Sequence, residues 1–238
     1  MQKLLSHIRA ALEKYDMIAE GDKICVCVSG GKDSVILLCA LKELKRFYPK
    51  NFELAAVTVD PMFFGRESDY SPIEKICREN GIEYLIKRTD LYNVIFETRR
   101  ETNPCSLCAR MRRGILHDCA KELGCNKIAL GHHGDDAAET FIMNLFSGGR
   151  AECFSPVSYL SRKDLYMIRP LIFCDEQEIE RVIRKEGLPV VKSACPADEN
   201  TAREDTKRLI ADLEKTYPAL RQKLIGAMER GKISGWHE

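Results

Sequence analysis

The 238-residue sequence lacks any apolar run that approaches the roughly 20 residues needed to cross a membrane. Its first 20 residues are amphipathic and charged, so the apolar segment of a secretory signal peptide is missing as well. The net charge is only +1, which excludes a positive field over the whole molecule. Any contact with nucleic acid must therefore come from local basic patches. Together these absences predict a cytoplasmic protein with no membrane partner.

The sequence also lacks the context for a disulfide framework, although it contains 11 cysteines. In a reducing compartment, cysteines that cluster in the sequence are typical of metal or catalytic sites. Cys105 and Cys108 form one CxxC, preceded by Pro104. A second CxxC and a closely spaced pair of metal-binding histidines are both absent, which argues against a zinc site with four ligands. The CxxC alone is compatible with a redox pair or with part of a metal site.

A third thiol, Cys195, lies far along the chain, just before the last predicted helices. Three cysteines that are widely separated in sequence can hold three corners of a [4Fe–4S] cluster and leave one iron open. Such an iron could bind and deliver sulfide. We assign no role to the other cysteines, of which four fall in apolar strand or helix patterns that predict small buried side chains. These four are Cys25, Cys27, Cys39 and Cys77.

The Walker A pattern is absent, yet the chain carries another junction that suits a phosphate. An apolar run, residues 24–28, is followed by a glycine turn and the start of a helical pattern. We call the six residues of this turn the phosphate loop; they are Ser29, Gly30, Gly31, Lys32, Asp33 and Ser34. A strand, a tight turn and a helix N-terminus in this order direct backbone N–H groups and the positive end of the helix to one point, which stabilises an anion.

Each side-chain type in the phosphate loop predicts a part of a nucleotide site. The two glycines let the backbone approach a phosphate without a Cβ in the way. The lysine adds a positive charge, the two serines add hydroxyl donors, and the aspartate can hold Mg²⁺. This pattern after a strand resembles the PP-loop of ATP pyrophosphatases, enzymes that adenylate a substrate and release pyrophosphate.

Strand and helix patterns alternate along the chain, which predicts a doubly wound α/β fold with a five-stranded parallel sheet. The five predicted strands are residues 24–28, 52–59, 82–87, 127–130 and 166–169. Residues 1–20 are expected to form an N-terminal helix, residues 21–190 the nucleotide-binding domain and residues 191–238 a C-terminal helical extension.

Sheets of this kind bind ligands at the carboxyl ends of their strands. Asp60 follows the second predicted strand, and a polar run from Gly131 to Asp136 follows the fourth. Within this run, Gly131, His132 and Asp135 are the preferred candidates for contacting the nucleotide, with Asp135 as a further ligand of Mg²⁺. We expect the phosphate loop, Asp60 and this polar run to meet at one edge of the sheet.

Two basic clusters flank the CxxC. One is Arg99-Arg100, and the other belongs to a helix that is expected to begin at Ala109; its members are Arg110, Arg112 and Arg113. An RNA phosphate backbone that reached the cysteines would meet these guanidinium groups. The charges of the last two predicted helices have acidic neighbours instead, which predicts solvated surfaces. These charges are Lys207, Arg208, Arg221 and Lys223.

Taken in order along the chain, these motifs resemble the tRNA 2-thiocytidine synthetases of the TtcA type, within the PP-loop ATP pyrophosphatase superfamily. The resemblance covers most of the chain; besides the phosphate loop and the CxxC it includes residues 112–116, 129–133, 135–136, 144–146 and 168–170. It implies that the C2 oxygen of a cytidine, at position 32 of the tRNA anticodon loop, is adenylated and replaced with sulfur. It also implies ATP and Mg²⁺ at the phosphate loop, with Lys32 and Asp33 as catalytic residues.

The resemblance extends to the cysteines. Members of this family carry a [4Fe–4S] cluster on three cysteines, and Cys105, Cys108 and Cys195 lie where those ligands would be, the first two also serving catalysis. The family commonly has a second CxxC near the C-terminal helices, whereas this chain reads Lys192-Ser193-Ala194-Cys195 there. The implied partners are tRNA and a sulfur donor, such as a cysteine desulfurase or sulfide, and a homodimer is an assembly that this interpretation allows.

Three other functions fit parts of the pattern. A tRNA lysidine synthetase would attack the same kind of adenylated cytidine with lysine, but it has no use for the cysteines. A sulfur transferase acting on a small molecule is favoured by the near-zero net charge. A nucleotide-binding regulator without enzymatic activity could sense redox state or iron through the cysteines.

Overall fold

A computed structural model describes residues 1–99, 104–192, 194–195 and 202–236. Within these ranges six strands form one sheet; they are β1 (Asp22–Cys27), β2 (Phe52–Asp60), β3 (Glu83–Arg88), β4 (Lys127–Ala129), β5 (Val157–Leu160) and β6 (Leu165–Ile168). The α-helices of the same ranges are α1 (Gln2–Lys14), α2 (Lys32–Leu44), α3 (Ser71–Glu79), α4 (Pro104–Glu122), α5 (Gly134–Gly148), α6 (Glu176–Glu186), α7 (Ala202–Glu214) and α8 (Leu220–Arg230). None of the helices in this part of the chain is both long and apolar enough to cross a bilayer.

The strands lie in the order β3-β2-β1-β4-β6-β5. All neighbouring pairs are parallel except β5 and β6, which form an antiparallel hairpin. The predicted doubly wound α/β fold with five parallel strands is therefore confirmed, and a sixth, antiparallel edge strand is added. The sequence does not reveal β5 because its four residues are half-buried or exposed, so the strand lacks the apolar run of a central strand.

Two apolar layers sandwich the sheet, and β1 contributes to both. Ile24 and Val26 are buried against α1, α2 and α6, whereas Cys25 and Cys27 point to the opposite face, towards α4. This alternation follows from the two-residue period of a strand. Buried on both faces, β1 holds its carboxyl end, and with it the phosphate loop, in a fixed position.

The CxxC lies inside a helix rather than before one. The basic helix was expected to begin at Ala109, but α4 begins at Pro104 and includes both Cys105 and Cys108. Proline favours the first position of a helix because its fixed φ is already helical and its missing N–H would have no partner there. As a result, Cys108 and Arg112 lie one turn apart on the same face of α4.

The end of the chain packs into the main core. Trp236 and Met228 are fully buried in the apolar cluster that includes α1 and α2. The Trp236 indole donates a hydrogen bond from Nε1 to the carbonyl of Phe154 at 2.9 Å, and its ring lies 6.4 Å from Tyr15. The division of the chain at residues 20 and 190 stays a prediction.

Candidate active site

The phosphate loop is closed by its two serines. The backbone N–H of Ser29 donates to Oγ of Ser34 at 3.0 Å, and that hydroxyl donates in turn to the carbonyl of Gly31 at 2.9 Å. Gly31 is the N-cap of α2 and provides no side-chain cap, so the first N–H groups of the helix are left for an anion. The geometry is that of an anion site at the carboxyl end of β1.

Gly30 brings the segment before Cys195 onto the phosphate loop. Its φ of +90° is in the left-handed region, and a Cβ there would stand 2.8 Å from Cβ of Val191. The N–H of Val191 also donates to the carbonyl of Gly30 at 2.9 Å. Val191 is therefore held against the phosphate loop by a hydrogen bond and by close packing, although it lies far from the loop in sequence.

A cavity of about 390 Å³ opens between the phosphate loop, the ends of the central strands and α4. Its polar lining consists of Ser29, Asp33, Ser34, Arg112, Arg113, His132 and Asp136, and its apolar wall includes Val57 and Val59. An apolar wall with a few convergent polar groups is the usual form of a small-molecule site. This first cavity therefore combines an anion site with space for a larger ligand.

Asp33 presents a vacant carboxylate oxygen to this cavity. Its Oδ1 is buried and accepts no hydrogen bond among the described residues, and it lies 3.8 Å from Nε2 of His133. Burial raises the pKa of Asp33, although His133 and Lys32 oppose the increase. A buried carboxylate oxygen without a partner costs free energy, and a hard divalent cation such as Mg²⁺ is a ligand that would satisfy it.

The three predicted cluster cysteines influence one another electrostatically. Burial raises the pKa of the Cys108 thiol, and the charges of Cys195 and Cys105 raise it further, while Arg112 lowers it, in part through a hydrogen bond. The thiols are thus close enough to interact. They are also the accessible ones: Cys105 is exposed and the other two are half-buried, whereas none of the remaining eight cysteines is more than 9% exposed.

A second cavity, of about 440 Å³, is lined by both the phosphate loop and the segment before Cys195. Its lining includes Ser29, Gly31, Phe63, Ser68, Tyr70, Arg112, Val191, Lys192 and Ala194. Arg112, Ser29 and Gly31 line both cavities. The two cavities therefore adjoin at the phosphate loop and share Arg112 as a cation.

Comparison with known proteins agrees with this geometry. The PP-loop domain family matches residues 2–212. The tRNA-cytidine(32) 2-sulfurtransferase of Geobacter sulfurreducens is 39% identical over 230 residues, which cover 95% of this chain and 89% of that protein. The enzyme of the same name from Syntrophotalea carbinolica is 41% identical over 223 residues, or 92% of this chain and 85% of that protein. This chain belongs to that family of PP-loop proteins.

A solved structure extends the likeness. The U34-tRNA thiolase NcsA from Methanococcus maripaludis, with its [4Fe-4S] cluster, superposes with a TM-score of 0.77 at 27% identity, covering 94% of this chain and 77% of that one. An NH3-dependent NAD synthetase from Campylobacter jejuni, at 17% identity and a TM-score of 0.50, shares the fold alone.

In this PP-loop protein, Lys32 is held by a carboxylate that the sequence did not single out. Glu176 is the first residue of α6, and its Oε1 accepts a hydrogen bond of 2.9 Å from Nζ of Lys32. The Nζ of Lys207 lies 2.7 Å from Oε2, the other carboxylate oxygen of Glu176. Although burial opposes ionisation, hydrogen bonds from both lysines lower the pKa of Glu176 to about 2. Glu176 thus stays charged and fixes Lys32 at the mouth of the anion site.

The residues after β4 divide between the cavity and the scaffold. His132 lines the first cavity, and burial lowers its pKa to about 4, so the ring is neutral at physiological pH. Asp135 turns away: one oxygen lies 2.6 Å from Nε of Arg221, and the other accepts from the N–H of Glu176 at 2.7 Å. Its neighbour Asp136 lines the cavity in its place. A role for Asp135 in binding Mg²⁺ stays a prediction.

Asp60 organises the loop after β2. The residue is fully buried, and its two carboxylate oxygens accept from the backbone N–H groups of Met62 and Ser68, each at 3.0 Å. These bonds shape the loop that gives Phe63 and Ser68 to the second cavity. The geometry favours a positioning role for Asp60, and direct contact with the nucleotide stays a prediction.

Cations of the C-terminal helices pair with carboxylates around the site, although the sequence predicts solvated surfaces for them. Arg221 is only 18% exposed and pairs with Asp135 and Glu214, and Lys207 pairs with Glu176.

Arg203 is a further cation that the sequence pattern does not indicate; its guanidinium lies 2.8 Å from Asp136. The only local signal is that Arg203 and Lys207 are four residues apart and so share a face of α7.

Arg208 lies on a solvated surface, as the sequence predicts, since it is exposed and pairs with Asp205. Arg100, of the first basic cluster, lies outside the described residues.

Replacing Gly131 by alanine should disturb the phosphate loop. A Cβ at Gly131 would stand 3.0 Å from the carbonyl carbon of Asp33 and 3.1 Å from the nitrogen of Ser34, so α2 would have to move. We expect the melting temperature to fall by about 5 °C and the KM for ATP to rise. Gly114→Ala, on α4, is the matched control, because a Cβ there meets nothing within 4 Å. Equal melting temperatures for the two variants would contradict the close packing.

Glu139, on α5, should make stability depend on pH. Burial raises its pKa from the ordinary 4.5 to about 7, and Asp136 adds to the rise, whereas Arg203 and Lys207 oppose it. Because the folded state holds this proton more tightly, stability falls as pH rises from the ordinary value to the raised one. The melting temperature of Glu139→Gln should therefore equal that of the wild type at pH 5 and exceed it at pH 8. A difference that does not change with pH, measured by thermal denaturation, would refute this account.

Proposed function

We propose that this chain is an ATP-dependent tRNA sulfurtransferase that replaces the C2 oxygen of cytidine 32 with sulfur. The observation that carries the proposal is the placement of Arg112, which lines both cavities and lies one helical turn from Cys108 on α4. Its guanidinium group thus faces the anion site from the helix that carries the CxxC. The homologous enzymes named as tRNA-cytidine(32) 2-sulfurtransferases support the same nucleotide as substrate.

In the first step, ATP occupies the first cavity with its phosphates at the phosphate loop. The C2 oxygen of the cytidine attacks the α-phosphorus, and pyrophosphate leaves. Backbone N–H groups at the start of α2 and the Lys32 ammonium stabilise the negative charge that develops on the phosphates. The vacant Oδ1 of Asp33 is the position from which this chain would hold Mg²⁺.

In the second step, sulfur displaces AMP, which leaves with the former C2 oxygen. Cys105, Cys108 and Cys195 would hold a [4Fe–4S] cluster, since they are the accessible thiols of the chain and three thiolates are the number that such a cluster would need here. When bound, such a cluster supplies an open iron for sulfide. The cluster named for the thiolase NcsA supports this assignment. Arg112 lowers the pKa of the Cys108 thiol, and because it lines both cavities we assign its positive charge to the junction between the base and AMP.

The second cavity is the space that we assign to the cytidine. RNA-modifying proteins commonly take up unstacked bases against aromatic side chains, and Phe63 and Tyr70 lie on its wall. Lys192 and Arg112 bring positive charge to the same cavity for the flanking phosphates. The net charge of +1 is therefore no obstacle, since the cations are concentrated at the site.

The relatives do not favour the other functions. A tRNA lysidine synthetase would leave the thiols without a use, and the tRNA-modifying relatives favour neither a small-molecule substrate nor a regulatory role. We propose sulfide or a cysteine desulfurase as the sulfur donor, and the cytoplasm as the compartment, since all eleven cysteines are free thiols. A homodimer stays a prediction.

Deleting the gene from its host tests the proposal. We expect the tRNA to lose 2-thiocytidine at position 32, as measured by mass spectrometry of nuclease fragments, and the wild-type gene to restore it. Retention of 2-thiocytidine, together with loss of a different modified nucleoside, would refute the proposed substrate. Unchanged tRNA would favour a small molecule.

A further inference from the structure

A second group of metal-binding side chains lies outside the active site. His7 belongs to α1, Cys174 lies just before α6, and Glu178 lies in the first turn of α6. One ligand atom from each lies within 4.8 Å of the other two. Because the three residues come from two separate parts of the chain, only folding brings them together.

The carboxylate of Glu178 is buried and only half satisfied. The residue is 5% exposed; its Oε2 lies 2.9 Å from Nδ1 of His7, and its Oε1 is buried without any hydrogen-bond partner in the described chain. Cys174, which is 1% exposed, adds a thiol to the same place. A buried carboxylate with a vacant oxygen is destabilising unless a cation or a donor completes it.

We propose that His7, Cys174 and Glu178 bind one Zn²⁺ ion. Imidazole, thiolate and carboxylate together are a typical ligand set for zinc, which binds them at about 2.0–2.3 Å in a tetrahedron. Ligand atoms of such a tetrahedron stand roughly 3.3–3.8 Å apart, so the group needs to adjust by less than about 1 Å. The vacant oxygen of Glu178 acquires its partner, and water supplies the fourth ligand from the half-exposed side of His7.

The ion would fix the element that positions Lys32. Cys174 and Glu178 flank Glu176, the partner of Lys32. The carbonyl of Cys174 also accepts from the N–H of Gly134, the first residue of α5, at 3.0 Å. A zinc ion at this place ties α1 to the start of both α5 and α6. It lies outside the cavities, so it stabilises the scaffold and touches no substrate.

Zinc content and zinc-dependent melting test the site. Because free cluster cysteines also bind zinc, the background is the full chain with Cys105, Cys108 and Cys195 replaced by serine. We expect about one zinc per chain by elemental analysis, and we expect excess Zn²⁺ to raise the melting temperature by about 5 °C. His7→Asn and Glu178→Gln should each lose the ion and the shift. Glu180→Gln is the matched control on the same helix and should keep both.

The same background chain loaded with Co²⁺ gives a second readout that does not depend on stability. Co²⁺ bound to Cys174 should show a thiolate charge-transfer band that disappears in Cys174→Ala. The inference is overturned if the background chain holds no zinc and shows no shift, or if Glu178→Gln keeps the ion. In that case His7 and Glu178 form only a hydrogen-bonded pair. Either result leaves the thiolation assay of the wild-type enzyme unaffected as a separate test.

Discussion

Asp33→Asn should lower the rate of tRNA thiolation by about 10³-fold or more, because the variant loses the carboxylate that we assign to Mg²⁺. The same change should not destabilise the fold. Burial raises the pKa of Asp33, so the folded protein holds this charge at a cost that a neutral amide removes. We therefore expect a melting temperature at pH 7.5 that is equal to that of the wild type or higher, combined with a near-complete loss of thiolation and pyrophosphate release.

Glu43→Gln is the control for this loss. Glu43 lies near the other end of α2, where it pairs with Lys42 and Arg46 and lines neither cavity among the described residues, so its replacement should leave the rate unchanged. Thiolation at the wild-type rate in Asp33→Asn would contradict the assignment of Asp33. A fall in melting temperature that explains the loss of rate would show that its role is structural.

Cys108→Ser removes the sulfur half of the site and spares the nucleotide half. Purified without oxygen, the wild type should be brown and absorb near about 400 nm, as expected of an iron–sulfur protein. We expect the variant to be colourless and to have no measurable thiolation. Since Cys108 does not line the first cavity, the affinity for ATP should stay within about twofold of the wild type.

Cys119→Ala is the matched control, because Cys119 lies on the same helix but is buried in the apolar layer beneath the sheet. It should keep both the colour and the activity. A brown, active Cys108→Ser protein would refute the cluster assignment. A colourless wild type that still thiolates tRNA would move the sulfur chemistry to a cysteine persulfide.

Local sequence is sufficient to find the phosphate loop. Its glycines, lysine, aspartate and serines are contiguous, and the apolar run before them predicts the strand that holds them. The alternation of strands and helices likewise predicts the parallel sheet, since connections of this type are almost always right-handed. The CxxC is equally local, but the helical pattern predicts a start at Ala109, whereas α4 begins at Pro104.

Contacts between distant residues could not be predicted. Glu176 meets Lys32 across 144 residues, and no local pattern indicates this pairing. Asp135 and Asp136 both open α5, so only the packing of α6 and α8 decides that Asp135 turns to Arg221 and leaves the cavity to Asp136. A single cysteine such as Cys195 has no spacing to check, so only the fold shows that its charge acts on Cys108.

The central claim is that one chain adenylates a tRNA cytidine and replaces its oxygen with sulfur. The most direct measurement is the reaction of purified, anaerobically prepared protein with unmodified tRNA, ATP, Mg²⁺ and sulfide, followed by mass spectrometry of the nucleosides. The account predicts 2-thiocytidine at position 32, with one AMP and one pyrophosphate for each sulfur inserted. ATP consumption without a sulfur-containing nucleoside, or sulfur at another position, would contradict it.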